Sequence, residues 1–156
     1  MIIVVCTDDD KLRKSAEEAA GRNPQIFGRC YRVFHDRIPP LANDENLFIS
    51  AHGVYKGDDN NPVIGDKKKA LFLNGVQAVQ ELNDVFPAGD YSGNVYISAC
   101  EAIDHADDDL SFAEAFKSQL HGPRRGTRRH TGKVYGQAGS VGLRVPPPTD
   151  AGWQEV

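Results

Sequence analysis

The chain has 156 residues, 40% of them hydrophobic and 26% charged, which fits one domain able to bury roughly two thirds of the surface its unfolded form exposes. A formal net charge of -4 is too mild to imply a nucleic-acid or membrane partner for the whole molecule. Three cysteines, Cys6, Cys30 and Cys100, form neither an even framework nor a CxxC pair, which argues against a disulfide scaffold or structural zinc and for a reducing compartment.

The opening "MIIVVCTDDD" has an apolar run of five residues after Met1 and no basic leader. It predicts no transmembrane span and no signal peptide, hence a cytoplasmic protein or one exported without a classical leader. Ile2 to Cys6 reads as a buried strand, and Asp8, Asp9 and Asp10 as the cap and first turn of a helix over Lys11 to Ala20. Cys30 to His35 and Leu47 to Ala51 are the next two strands. Asn74 to Val85 carries Val76, Val79 and Leu82 at helical spacing, and Asn94 to Ala99 is again a strand. Leu110 to Leu120 reads as a helix stopped by His121-Gly122-Pro123, and Lys133 to Leu143 as a last strand broken by glycines. Residues 146–156 then form a C-terminal tail behind a domain spanning 1–145.

The order βαββαβαβ, with near-continuous apolar strands, predicts an α/β fold: a three-layer αβα sandwich around a mostly parallel central sheet. Ligands and chemistry gather at the carboxyl ends of such strands. Two strands close alike there, "LFISAHG" in His52-Gly53 and "VYISACEA" in Cys100, 48 positions apart. Adjacent strands lie ~4.8 Å apart, so an imidazole and a thiol at matching heights can meet. A free thiol with a pKa of ~8.5 is mostly protonated at neutral pH, and a neighbouring histidine can take its proton and later give it to a leaving amine. The Gly53 amide, with no side chain in the way, and the Cys100 amide would hold the oxyanion. Cys6 and Cys30 read as small buried hydrophobes. His35, His105, His121 and His130 share no metal-ligand spacing, and no GxGxxG follows the first strand.

"ISAHG" followed by "ISACEA" resembles the clan CD cysteine peptidases, the caspase, legumain and gingipain group, including bacterial and toxin-borne members. Their pattern is an apolar strand closing in His-Gly and a later one closing in Ala-Cys, with the caspase histidine ~50 residues upstream of the cysteine. The resemblance covers residues 1–145 and implies a caspase-like fold and hydrolysis of peptide or protein substrates through a thioester. It makes Cys100 the nucleophile, His52 the acid and base, and Gly53 an oxyanion donor. It also implies that the strand after the post-cysteine helix, Val134 to Gly142, offers its edge to the substrate backbone, with Gln137, Ala138 and Gly139 in contact.

Two charged segments carry further expectations. "RRGTRRHTGK" lies where caspase-like relatives are cut between subunits or, in toxin-borne ones, hold an inositol polyphosphate activator. Arg124, Arg125, Arg128, Arg129 and Lys133 are therefore candidates for self-cleavage or polyanion binding, against a plain solvated loop. The acidic run Asp104 to Asp109 reads as a helix start, with Asp104 also a candidate wall of a pocket for a basic substrate side chain. Two alternatives to the enzyme stay open: an inactive caspase-like module that binds peptides, and a receiver-like domain binding magnesium through Asp8 and Asp9.

Overall fold

Three apolar runs are buried at every residue, as strands covered on both faces must be. They form the middle of the fold in the computed structural model of the protein, which describes residues 1–54, 61–68, 70–105, 109–122 and 129–156. In chain order the elements are β1 (Ile2–Val4), α1 (Asp10–Arg22), α2 (Pro24–Phe27), β2 (Cys30–Arg32), β3 (Leu47–Ser50), β4 (His52–Val54), β5 (Val63–Gly65), β6 (Phe72–Asn74), α3 (Gly75–Glu81), β7 (Val95–Ser98), α4 (Phe112–His121), β8 (Val134–Gly136) and β9 (Gln154–Glu155). A six-stranded sheet runs in the order β2-β1-β3-β7-β8-β9, parallel except for β9, and a separate antiparallel sheet holds β4, β5 and β6.

The pleat divides the main sheet between two apolar layers. Ile2, Val4, Phe48 and Tyr96 face the Leu12, Ala16, Ala19 and Ala20 stripe of α1. Ile3, Val5, Ile49 and Ile97 face Val79, Phe112 and Phe116 of α3 and α4. The three longer helices, α1, α3 and α4, start where the sequence supplies a cap. Asp9 accepts from the amides of Lys11 and Leu12, while Asn74 with Gln77 and Ser111 with Glu114 form reciprocal capping boxes. The strands and helices expected from the sequence are present, most of them trimmed at their ends.

Four elements differ from expectation. The strand predicted over 133–143 ends at Gly136, and β9 pairs with it on the outer side, so β8 has no free edge to offer a peptide. The tail expected over 146–156 instead supplies that outer strand. It is drawn in by a file of rings crossing the sheet: Phe48 and Tyr96 stack at 4.9 Å, Tyr96 and Tyr135 at 4.9 Å, and Trp153 meets Tyr96 edge-on at 5.2 Å. The segment between β3 and α3 holds the small sheet, whose three-residue strands are too short to show an alternating pattern. Finally, α2 is a single turn started by Pro24.

Candidate active site

The ladder places Ser50 of β3 opposite Ser98 of β7, and the Ala51 amide continues it to the Ser98 carbonyl at 3.2 Å. Two residues beyond that row on each chain stand His52 and Cys100. The backbones here are in close contact: a Cβ added to Gly53 would lie 1.8 Å from the Cys100 carbonyl oxygen and 2.9 Å from its amide nitrogen. Only glycine fits, and it leaves the Cys100 peptide uncovered by any side chain at position 53.

His52 opens β4, and its Nε2 lies 3.0 Å from Asp9 Oδ2, with the two side chains 20% and 13% exposed. When Nε2–H is donated to that carboxylate, Nδ1 carries the lone pair available to a thiol proton. Burial pushes the Asp9 carboxyl up, but the amides of Lys11 and Leu12 and the imidazole outweigh it and hold it below its ordinary value. Asp9 is thus a carboxylate at neutral pH that caps α1 and orients the histidine.

An exchange of carboxylates fastens the small sheet to the end of β1. Asp66, fully buried after β5, accepts from the Thr7 amide at 2.5 Å and the Thr7 hydroxyl at 2.7 Å. In return Asp8 accepts from the amides of Lys67 and Lys68 at 3.0 and 2.8 Å. Loss of hydration raises the Asp8 carboxyl, and those two amides overcome it and leave it low. The Cys6 sulfur and the Asp8 and Asp66 oxygens lie within 4.8 Å of one another, and each carboxylate accepts two of these hydrogen bonds. Asp8 and Asp9, the pair a receiver-like magnesium site would use, bond to amides and, at Asp9, to an imidazole. Burial also pushes the Cys6 and Cys30 thiols up to about 11, so neither is a thiolate at neutral pH.

Cys100 follows β7 and is partly exposed. The Val141 amide donates to its sulfur at 3.4 Å, and the sulfur lies 3.7 Å from the Val141 carbonyl. The segment 137–142 is held over the thiol by two more bonds: the Glu101 amide donates to the Gly139 carbonyl at 2.7 Å, and the Gly139 amide to Asp104 Oδ2 at 2.8 Å. Gly139 sits at φ 60°, a left-handed conformation that suits glycine. Beside this segment opens a cavity of about 400 Å³ lined by Gln137, Ala138, Ser140, Val141, Arg144 and Gln154 among others.

The sequence-predicted residues thus separate into groups. Gly53 packs on the Cys100 peptide, the imidazole of the preceding His52 bonds Asp9, the Cys100 sulfur meets Val141, and Gly139 bonds the Glu101 amide beside Gln137 and Ala138. Asp104 is engaged with the Gly139 amide. Arg124, Arg125 and Arg128 lie outside the described residues. Arg129 and Lys133 precede β8 at the amino end of the parallel strands, the rim opposite His52 and Cys100, where Lys133 pairs with Glu155 at 2.7 Å. Sequence reasoning missed Asp66 and the second role of Asp9. A signal for the latter existed, since a carboxylate closing the first strand stands next to a histidine closing the neighbouring one. Compared with known protein families, curated proteins and solved structures, the chain matches none.

Proposed function

We propose that the protein is a cysteine endopeptidase of three-layer, caspase-like fold. His52 Nδ1 takes the proton of the Cys100 thiol, and the thiolate attacks the scissile carbonyl carbon. The amides of Gly53 and Cys100 hold the oxyanion of the tetrahedral intermediate. Its collapse breaks the C–N bond, with the amine leaving on the proton carried by His52, and yields a thioester on Cys100. Water, losing a proton to His52, then attacks the thioester and releases the acid. Asp9 orients the imidazole and stabilises its charged form.

The observation that supports the reading is the side-chain-free contact of Gly53 on the Cys100 peptide, with His52 and Cys100 each two residues beyond the paired Ser50 and Ser98. The test is intact-mass analysis after treatment with a panel of peptidyl electrophiles, alongside cleavage of a peptide library. Cys100→Ala is expected to abolish both labelling and cleavage, while Cys6→Ala and Cys30→Ala keep both. Cleavage that persists in Cys100→Ala sinks the proposal. The Val141 contact with the sulfur favours a second reading, a peptide-binding module without turnover. That reading requires peptide affinity to survive Cys100→Ala and the parent protein to cut nothing.

A further inference from the structure

The segment expected to pair with substrate lies on the nucleophile instead. Among the described residues the Cys100 thiol bonds Val141 alone: it accepts from the amide at 3.4 Å and stands 3.7 Å from the carbonyl oxygen, within reach of a sulfur donor. The imidazole of His52 bonds Asp9. A thiol proton directed at the Val141 carbonyl is not directed at His52, so in this arrangement both halves of the dyad are engaged elsewhere. Attack also requires the substrate's carbonyl carbon roughly 3–3.5 Å from the sulfur. The Val141 amide stands in that shell.

The contact is held by the turn that follows the nucleophile. The Asp104 amide donates to the Glu101 carbonyl at 3.1 Å and closes that turn. The turn then grips the segment twice, the Glu101 amide on the Gly139 carbonyl at 2.7 Å and Asp104 Oδ2 on the Gly139 amide at 2.8 Å. Glu101 and Gly139 are both left-handed, at φ 58° and 60°, and for Glu101 this uncommon conformation persists because neighbouring bonds over-determine it. The core, by contrast, does not hold the segment. Gly136 is paired in β8 and Val145 is buried, but every residue from 137 to 144 is exposed or half-buried, and most of them line the cavity of about 400 Å³ shared with Gly152 and Gln154. A stretch with so few buried contacts opens at lower cost than the strands beneath it.

We infer that residues 139–141 form an autoinhibitory contact, latched by the Asp104 carboxylate, which keeps Cys100 from His52 and from substrate until the segment lifts. The inference rests on the peptidase reading and adds its regulation. The fraction of molecules with the segment lifted sets the observed rate, so weakening the latch raises thiol labelling and cleavage together. It is tested by timed alkylation of the folded full chain with iodoacetamide, the modified cysteine being mapped by peptide mass, alongside cleavage of the peptide library.

Asp104→Ala removes the acceptor of the Gly139 amide and is expected to speed Cys100 labelling about tenfold and to raise kcat/KM by a similar factor. Asp104→Asn keeps a carbonyl oxygen for that amide and should label at the wild-type rate, which a mere effect of the Asp104 charge on the thiol would not allow. Gly139→Val loosens the latch from its other side. A Cβ there meets no atom within 4 Å, but a β-branched residue resists φ 60°, so labelling should rise again. Cys6 and Cys30, mapped in the same digests, should stay unlabelled in each folded variant. Wild-type labelling rates in both Asp104→Ala and Gly139→Val, equal acceleration in Asp104→Asn and Asp104→Ala, or faster labelling with unchanged cleavage overturns the inference and leaves the peptidase reading intact. Faster labelling with no Cys100-dependent cleavage in any variant overturns the peptidase reading, and the contact then restrains no peptidase.

Discussion

The two sheets are fastened by different forces. The six-stranded sheet is held by apolar burial on both faces, with Ile2, Ile3, Phe48, Ile49 and Ile97 fully buried. In the small sheet Ile64 and Leu73 also reach the core, but the end that carries His52 is fixed by hydrogen bonds: Asp66 with Thr7, Asp8 with two lysine amides, and Asp9 with the imidazole. Apolar contacts tolerate small shifts, whereas a hydrogen bond weakens steeply with angle and distance. Because Cys100 follows a strand of the first sheet and His52 begins the second, their alignment is more fragile than the fold beneath it.

Breaking the first sheet should have the largest effect. Tyr96→Ala removes three ring contacts and most of a buried side chain and is expected to destabilise the whole fold by about 3–5 kcal/mol, read as a lower urea midpoint. Next comes Asp66→Ala, which strands the Thr7 amide and hydroxyl. About 1–3 kcal/mol of stability should go, together with nearly all Cys100-dependent cleavage, while the circular dichroism of the main fold is kept. Retention of full activity in that variant would show that the carboxylate exchange does not position His52.

Asp9→Asn should have the smallest effect on stability, under about 1 kcal/mol, because asparagine caps a helix nearly as well as aspartate. Cleavage should still fall roughly a hundredfold as the imidazole loses its charged partner. Since the folded Asp9 carboxyl is held below the ordinary ~3.9, its ionic contribution is complete above about pH 4 and is lost as pH falls through the lower folded value. The stability gap between the parent and Asp9→Asn should therefore close in acid, and urea titrations at several pH values check it.

The sheet with its flanking helices was legible because its strands are unbroken apolar runs and its helices carry their caps in sequence. The matched register of the strands that lead to His52 and Cys100 was legible for a related reason: their common Ile-Ser-Ala lead-ins imply matching heights in a parallel sheet, and Ser50 does stand opposite Ser98. What escaped depends on contacts that leave no local trace. The Asp9–His52 bond spans 43 positions, and the Thr7–Asp66 bonds span 59. The three-residue strands around Gly65 are too brief for a period-two pattern, and Gln154 and Glu155, polar and exposed, resemble a tail until Trp153 is seen beside Tyr96. The left-handed turn at Phe34 was hidden because Cys30 to His35 has an ordinary β composition.

Trp153 is the only tryptophan in the chain, and its indole N–H donates to the Pro147 carbonyl at 2.9 Å while its ring rests against Tyr96. The protein therefore carries a built-in optical reporter of whether its closing strand is seated. A red shift in indole emission, seen before the helical signal is lost, would mark release of the outermost strand as an event separate from global unfolding.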